Sequence, residues 1–425
     1  MKISNYLTFV ELEDGSFLTY SFRSGSLIKI SPDIYQLLKN QEFTLIPQDV
    51  LDSLKEQLIL VGKNEIQDLE RECSQNKLKI VILPTQDCQL RCVYCGESKC
   101  SAMMTSKTQL SIIQMVQRML AARKYKTLEV DWFGGEPLLA IPIIRHLSKS
   151  FISMANENGV KYESKAVTNG LLLNKKNCRI LVEECQIKTF EVTLDGYKDE
   201  SRRVTKTGNG VYDVVVKNLL DIRDFECTVN IRANVDAENM ELIIPMLEDL
   251  KRYNLHHKIN FYIACIHSWG SENGKRALPP DEFADFQMQV FKWMITNDFR
   301  LPWEGILPHQ QKVHTCMMHG HPEANVVVDV EGMLYRCSEV PYTEAATSTK
   351  VGDVRTGINY KEKQFPYSEK QIGQCRTCPV YPVCGGSCPK RTAEKGYPEC
   401  AIIKYNMNER VKFAYKYMLE DNLKQ

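Results

Sequence analysis

From Leu78 to about residue 297 the chain alternates, six times over, between runs of strand length and runs of helix length. The strand-like runs are "LKIVILP", "TLEVDWF", "SKAVT", "KTFEVTL", "CTVNIRANV" and "KINFYIAC". Segments with apolar residues at three- and four-residue spacing lie between or after them, at 108–124, 141–157, 175–185, 211–223, 239–252 and 281–297. A repeated strand–helix unit forces consecutive strands to run parallel, with the helices packed on the sheet. Six units predict an α/β fold whose sheet curls into an open, partial (β/α)6 barrel. In such barrels the chemistry sits at the C-terminal strand ends.

The two ends of the chain read differently. Residues 7–31 predict short strands, "TFVEL", "SFLTYSF" and "SLIKIS", with turns at Asp14-Gly15 and Ser24-Gly25. Three helical segments follow, "PDIYQLLKN", "PQDVLDSLKEQ" and "EIQDLERECSQ". The expected organisation is a winged-helix-like module over 1–75, the barrel over 76–300, and a turn-rich, cysteine-rich tail over 301–425 with a closing helix near 402–420. That tail cannot easily build a conventional core, so metal clusters are expected to staple it.

Lys+Arg is 54 and Asp+Glu is 53, so nothing predicts bulk attraction to nucleic acid or to an anionic membrane. The start, "MKISNYLTFVELEDGSF", lacks the basic and apolar regions of a signal peptide, and no run approaches the roughly 18 apolar residues of a membrane span. The expectation is a cytoplasmic protein with no nucleic-acid or membrane partner. In a reducing compartment, its sixteen cysteines point to metal or redox chemistry rather than to structural disulfides.

Three of them, Cys88, Cys92 and Cys95, form C-x3-C-x2-C in "PTQDCQLRCVYCGE", just after the first barrel strand. Three thiolates can hold a metal but cannot complete a four-coordinate site. Thiolates are the usual ligands of iron–sulfur clusters, and a four-iron cubane held by three cysteines leaves one iron open to a substrate or cofactor. Zinc is the alternative, although zinc knuckles use C-x2-C pairs and a closed fourth position. At the end of the second strand, "DWFGGEPLL" offers Gly134 and Gly135, where backbone can approach a ligand, and Glu136, an acceptor for an ammonium group. A simple turn is the plainer reading of that stretch alone.

Taken with Tyr94, the cysteine motif and GGEP resemble the radical S-adenosylmethionine (SAM) superfamily, over about residues 78–425. The resemblance implies that SAM chelates the open iron of a [4Fe-4S] cluster bound by Cys88, Cys92 and Cys95, and that reduction of its sulfonium gives a 5′-deoxyadenosyl radical. It places Tyr94 against the adenine and Gly134, Gly135 and Glu136 at the SAM amino group. It gives SAM-contacting positions to Thr168, Asn169 and Gly170 ("VTNG") and to Thr193 and Asp195 ("TLDG"). Arg232 either faces the SAM carboxylate or makes an ordinary salt bridge. The His-Asp pair that the family often carries after "LDG" is missing; this chain has "YKDESRRV" there.

Gly332-x4-Cys337, then Cys375-x2-Cys378-x5-Cys384-x3-Cys388 and Cys400, resembles the SPASM extension of peptide- and protein-modifying members. The resemblance implies two auxiliary clusters, three [4Fe-4S] clusters in all: Cys375, Cys378, Cys384 and Cys400 on one, Cys316, Cys337 and Cys388 on the other. The second set is a ligand short. His314, His319 or His321 fills the gap, or the iron is open to a substrate thiolate. A pair of zinc sites is the alternative for both sets.

Among such enzymes, sulfatase maturases typically carry an acidic residue after the G-x4-C cysteine; here it is Ser338, with Glu339 next. This favours the other large class, maturases of ribosomally made peptides, whose N-terminal modules add a leader strand to a sheet edge. The expected activity is hydrogen abstraction from a precursor peptide followed by a cross-link, favoured as a cysteine thioether. A carbon–carbon bond, or formylglycine formation, is the alternative. The resemblance also implies a flavodoxin- or ferredoxin-type electron donor. Cys265, His267 and Ser268 in "ACIHSWG" should lie near the barrel mouth, with Cys265 and His267 as candidate catalytic groups. A zinc-stapled binding protein without catalysis is the reading from a different class.

Overall fold

The computed structural model describes residues 1–66, 76–208, 210–266, 277–301, 303–309, 324–338, 341, 350–359 and 373–422. The N-terminal strands are β1 (Lys2–Ile3), β2 (Leu7–Glu11), β3 (Phe17–Ser21) and β4 (Leu27–Ile30). Helices Pro32–Lys39 and Gln48–Glu56 follow, then β5 (Leu60–Val61). Strands β2, β3 and β4 form an antiparallel meander, and β5 returns to pair with β1. Ser31 starts the first helix by accepting from the Ile34 amide, with Pro32 in the first turn. Strand alternation gives the sheet two apolar faces. Leu7 and Ile30 pack with Leu38, Leu54 and Ile59 of the module itself. Tyr6, Val10, Leu18, Tyr20 and Phe22 pack against Val380, Ile403 and Val411 of the tail. Of the third expected helix, residues 67–75 lie outside the described residues.

The barrel strands are β6 (Lys77–Ile82), β8 (Thr127–Trp132), β9 (Lys161–Thr168), β10 (Thr189–Thr193), β12 (Thr228–Val235) and β13 (Ile259–Cys265), all parallel and adjacent in chain order. Two short strands, β7 (Leu90–Cys92) and β11 (Arg203–Thr205), pair with each other apart from this sheet. Intervening helices lie at Ser106–Ala122, Ile141–Glu157, Tyr212–Ile222, Ile243–Arg252 and Pro280–Thr296, with a shorter one at Lys175–Arg179 that continues as a π-helical turn. Each strand has an apolar face toward the helices: Leu78, Ile80 and Ile82, then Leu128, Val130 and Trp132. The opposite face is charged. Lys77 and Lys79 lie 2.6 and 2.8 Å from Glu129, and Asp131 sits 3.0 Å from Lys79 and 3.3 Å from Lys165. Burial opposes the charge on Glu129, but Lys79 and Lys77 outweigh it and hold the carboxyl down at about 2. One segment, Pro137–Glu157, has the length and hydropathy of a membrane span. It is a core helix: Ile144, Leu147, Phe151 and Met154 pack on the sheet.

The tail departs from expectation. Its β14 (Asn325–Val328) adds to β6 in parallel, and β15 (Met333–Tyr335), β16 (Lys350–Asp353) and β17 (Gly357–Ile358) continue antiparallel, giving ten strands. Ala324, Val326 and Val328 are fully buried in the barrel's own core. The tail therefore shares a conventional core. The physical reason is that β6 would otherwise be an open edge with unpaired backbone groups, which β14 satisfies. Short helices Tyr381–Cys384 and Pro389–Lys395 lead to a closing helix, Ile403–Asn422, with a non-helical Asn406 inside it.

Candidate functional site

Cys88, Cys92 and Cys95 open into one cavity of about 460 Å³ at the C-terminal ends of the barrel strands. Strand β7 holds Cys92 by pairing antiparallel with β11, which sets Arg203 opposite Cys92. Cys88 receives the Leu90 amide at 3.4 Å and the Asn169 side-chain amide at 3.8 Å. Lys99 places its ammonium 3.1 Å from Cys95 Sγ. Burial works against that ammonium, yet Cys95 and Glu97 outweigh it and raise its pKa. Burial pushes the Cys92 thiol up to about 11, so it releases a proton only to a strong partner such as a metal.

The GGE loop packs directly on the cysteine loop. A Cβ on Gly135 would lie 2.3 Å from the Asp87 carbonyl oxygen, and one on Gly134 (φ +115°) would lie 2.8 Å from that of Thr85. The Glu136 amide donates to the Asp87 carbonyl at 2.8 Å. These glycines border the cavity, but what excludes side chains there is protein backbone.

Thr168, Asn169, Thr193 and Arg232 line the same cavity, as does Tyr94. Gly170 does not; it adopts φ +83° directly after Asn169, and its carbonyl accepts from Asn218 at 2.9 Å. Arg232 also makes the ordinary ion pair, 3.6 Å from Glu191. Glu136 and Asp195 sit behind the cavity wall rather than in its lining. Glu136 is fully buried, and its carboxylate accepts from Thr168 Oγ1 at 2.7 Å, the Asn169 amide at 2.7 Å and the Leu138 amide at 3.0 Å. It ties the end of β8 to the end of β9. Asp195 accepts from the Tyr94 hydroxyl and, at 2.8 Å, from the Asn234 amide, and so fixes Tyr94 from behind. Arg202 forks onto Asp236 at 2.9 and 3.0 Å and lies over the Tyr94 ring. Sequence reasoning missed Lys99, Arg203, Asn234 and Arg391, all of which line the cavity. The "SRRV" that replaces the expected His-Asp pair supplies Arg202 and Arg203, and was the one visible signal.

Cys265 and Cys388 border the cavity from the side of β13 and the tail, with Arg391 beside them. Cys375, Cys378, Cys384 and Cys400 line a separate pocket of about 160 Å³. There the Ser387 amide donates to Cys384 Sγ at 3.2 Å, and Lys404 Nζ sits 3.2 Å from Cys400 Sγ. A third cavity of about 810 Å³ touches both, sharing Cys265, Cys388 and Arg391 with the first and Cys384 and Cys400 with the second. Cys316, His267, Ser268, His314, His319, His321 and Glu339 lie outside the described residues. Cys337 and Ser338 follow β15.

The donor sets suit iron–sulfur clusters. None of the described thiols is in a disulfide; Cys88, Cys92 and Cys95 converge on one cavity and Cys375, Cys378, Cys384 and Cys400 on another, and cations face the sulfurs in both. The radical SAM superfamily profile matches residues 82–250. These residues form a radical SAM domain. Members use SAM and [4Fe-4S] clusters, and this chain is an enzyme of that kind. It is 21% identical over 319 residues to a serine-type anaerobic sulfatase-maturating enzyme of Klebsiella pneumoniae, covering 71% of this chain and 79% of the relative. The structure of anSMEcpe with bound AdoMet and Cp18Cys peptide superposes with a TM-score of 0.60 at 17% identity, covering 80% of this chain and 99% of that one. Streptococcus suis SuiB bound to the precursor peptide SuiA superposes with a TM-score of 0.52 at 15% identity, covering 94% and 99%. These likenesses establish the radical SAM fold with a C-terminal extension.

Proposed function

We propose that this radical SAM enzyme matures a ribosomally made precursor peptide, abstracting hydrogen from it and installing a cross-link, favoured as a cysteine thioether. One observation carries the reading: the cavity bordered by Cys88, Cys92 and Cys95 is bordered on its other side by Cys265 and Cys388. A peptide reaching the radical chemistry would therefore lie between the ligands of the first cluster and Cys388 of an auxiliary set, with Cys265 beside it. The likeness to SuiB, which extends over 94% of the chain against 80% for anSMEcpe, supports the same reading.

In this proposal Cys88, Cys92 and Cys95 hold the SAM-binding cluster. Cys375, Cys378, Cys384 and Cys400 hold one auxiliary cluster, and Cys316, Cys337 and Cys388 hold the other. Bound SAM and its cluster supply one-electron hydrogen-atom abstraction. The chain's own residues do the positioning. Arg202 and Asp195 fix Tyr94 at the cavity wall. Arg203 braces the ends of β9 and β10 by donating to the carbonyls of Asn169, at 2.9 Å, and Thr193. Glu136 fixes the Thr168–Asn169 corner that faces the cavity. Arg232 presents a cation to a carboxylate. The module's sheet, flanked by edge strands β2 and β4, is where a leader strand would add. A flavodoxin- or ferredoxin-type donor and a cytoplasmic location belong to the same proposal.

Formylglycine formation is the second reading, favoured by the sulfatase-maturating relative. Ser338 after Cys337 counts against it, because a hydroxyl is a poor base for that step. Incubating the reduced, SAM-loaded enzyme with a cysteine-bearing precursor peptide separates the two by mass. Loss of two hydrogens with a new cross-link supports the first reading, and an aldehyde from Cys or Ser replaces it with the second.

A further inference from the structure

We propose that Lys99 and Lys404 tune the reduction potentials of two iron–sulfur clusters, each holding an ammonium on the last cysteine of one thiolate set. The inference rests on the reading that those two sets bind clusters. Lys99 Nζ lies 3.1 Å from Cys95 Sγ, and Lys404 Nζ lies 3.2 Å from Cys400 Sγ. In both cases the lysine follows its cysteine by four residues. Cys88 and Cys384 receive neutral donors, from Leu90 and Asn169 and from Ser387 respectively, while Arg203 is the cation at Cys92. The carboxylate that Lys99 pairs with, Glu97, lies at 3.8 Å, beyond the sulfur.

A cluster ligated by thiolates is anionic, and reduction adds one electron with no proton. A fixed cation on a ligand sulfur therefore stabilises the reduced form more than the oxidised form and raises the potential. Charge-assisted hydrogen bonds are about twice as strong as neutral ones. The two lysines differ in setting. The Lys99 side chain is 9% exposed and lines the main cavity, whereas Lys404 is exposed. Water and salt screen the second more than the first. The SAM-binding cluster thus gains the larger and less salt-sensitive upward shift.

The test uses the full chain, reconstituted anaerobically with iron and sulfide. Lys99→Met, Lys404→Met and the corresponding Arg variants are titrated with dithionite at controlled potential and followed by electron paramagnetic resonance. The signal that changes on adding SAM identifies the first cluster. At fixed potential, Lys99→Met is expected to lower its reduced-to-oxidised ratio about tenfold, or about 59 mV for a one-electron couple. Lys404→Met lowers the ratio of a different signal by less, and ~1 M salt removes that smaller effect. The Arg variants stay near wild type. Fully loaded Lys99→Met with the wild-type midpoint overturns the proposal. If Lys99→Met does not load, Lys99→Gln is used. If neither loads, the lysine serves assembly, and the tuning role falls. A wild-type chain that takes up no iron or sulfide sinks the cluster reading itself.

Discussion

Gly135→Ala tests whether the GGE loop is built for a ligand or for the protein. The added Cβ would sit 2.3 Å from the Asp87 carbonyl oxygen, and 2.8 Å from the Asp87 carbonyl carbon and the Gln86 oxygen. All three are backbone atoms, so no side chain can swing aside. The loops must separate, straining or breaking the Gly135 amide bond to Thr85 at 3.3 Å and the Glu136 amide bond to Asp87 at 2.8 Å. Overpacking costs about 1–3 kcal/mol, and each lost hydrogen bond about 0.5–1.5 kcal/mol. The sum, about 2–6 kcal/mol, is a large share of a stability of about 5–15 kcal/mol. The assay is denaturant unfolding of the metal-free chain, with iron and sulfide content after reconstitution. The expected result is a lower midpoint with no SAM or iron present, followed by poor cluster loading as the Cys88 loop shifts. A variant with the wild-type midpoint and full iron, impaired only in SAM binding, would refute the reasoning and return the glycine to a ligand role.

Three further outcomes follow from the same geometry. Cys92→Ala removes the central thiolate of the first set and should abolish SAM cleavage; continued deoxyadenosine release would sink the cluster assignment. Glu129→Gln takes one of two carboxylates from each of Lys77 and Lys79, which keep Glu163 and Asp131, and should destabilise the chain by about 1.5–3 kcal/mol. Because the folded-state pKa of Glu129 is depressed, its stabilising contribution is present above 4.5 and is lost as pH falls toward about 2. The pH dependence of unfolding across that window should therefore be shallower in Glu129→Gln. Deleting residues 1–72 would test leader binding cleanly only if the module were separate. The structure makes it one wall of the tail's core, with Tyr6 donating to the Arg376 carbonyl beside Cys375. The truncation should also lose iron from the Cys375 set, and full iron retention would show the module to be independent.

The six strands, their order and the helices between them were legible because their signals are local. A run such as "KLKIVI" carries its period-two pattern within six residues, and "CQLRCVYC" carries its thiol spacing within eight. The tail strand "NVVV" was not placed beside β6 by the sequence, because 246 residues separate Asn325 from its register partner Lys79. Even so, the grouping of Cys375, Cys378, Cys384 and Cys400, implied by resemblance, coincides with one pocket.

By itself the sequence determined the parallel sheet, the end of it at which chemistry occurs, and the thiols gathered there. Only the tertiary structure decided which polar groups remain free to act. The family resemblance makes Glu136 and Asp195 ligand contacts; in the fold their carboxylates accept from Thr168, Asn169, Tyr94 and Asn234. Lys99 and Arg203, unremarked in the sequence, face the sulfurs. The reason is that a carboxylate or an ammonium acts through the partners within about 3 Å of it; Lys99 finds Cys95 four residues away, but Glu136 meets Thr168 and Asp195 meets Asn234 and Tyr94 only once strands distant in sequence are side by side.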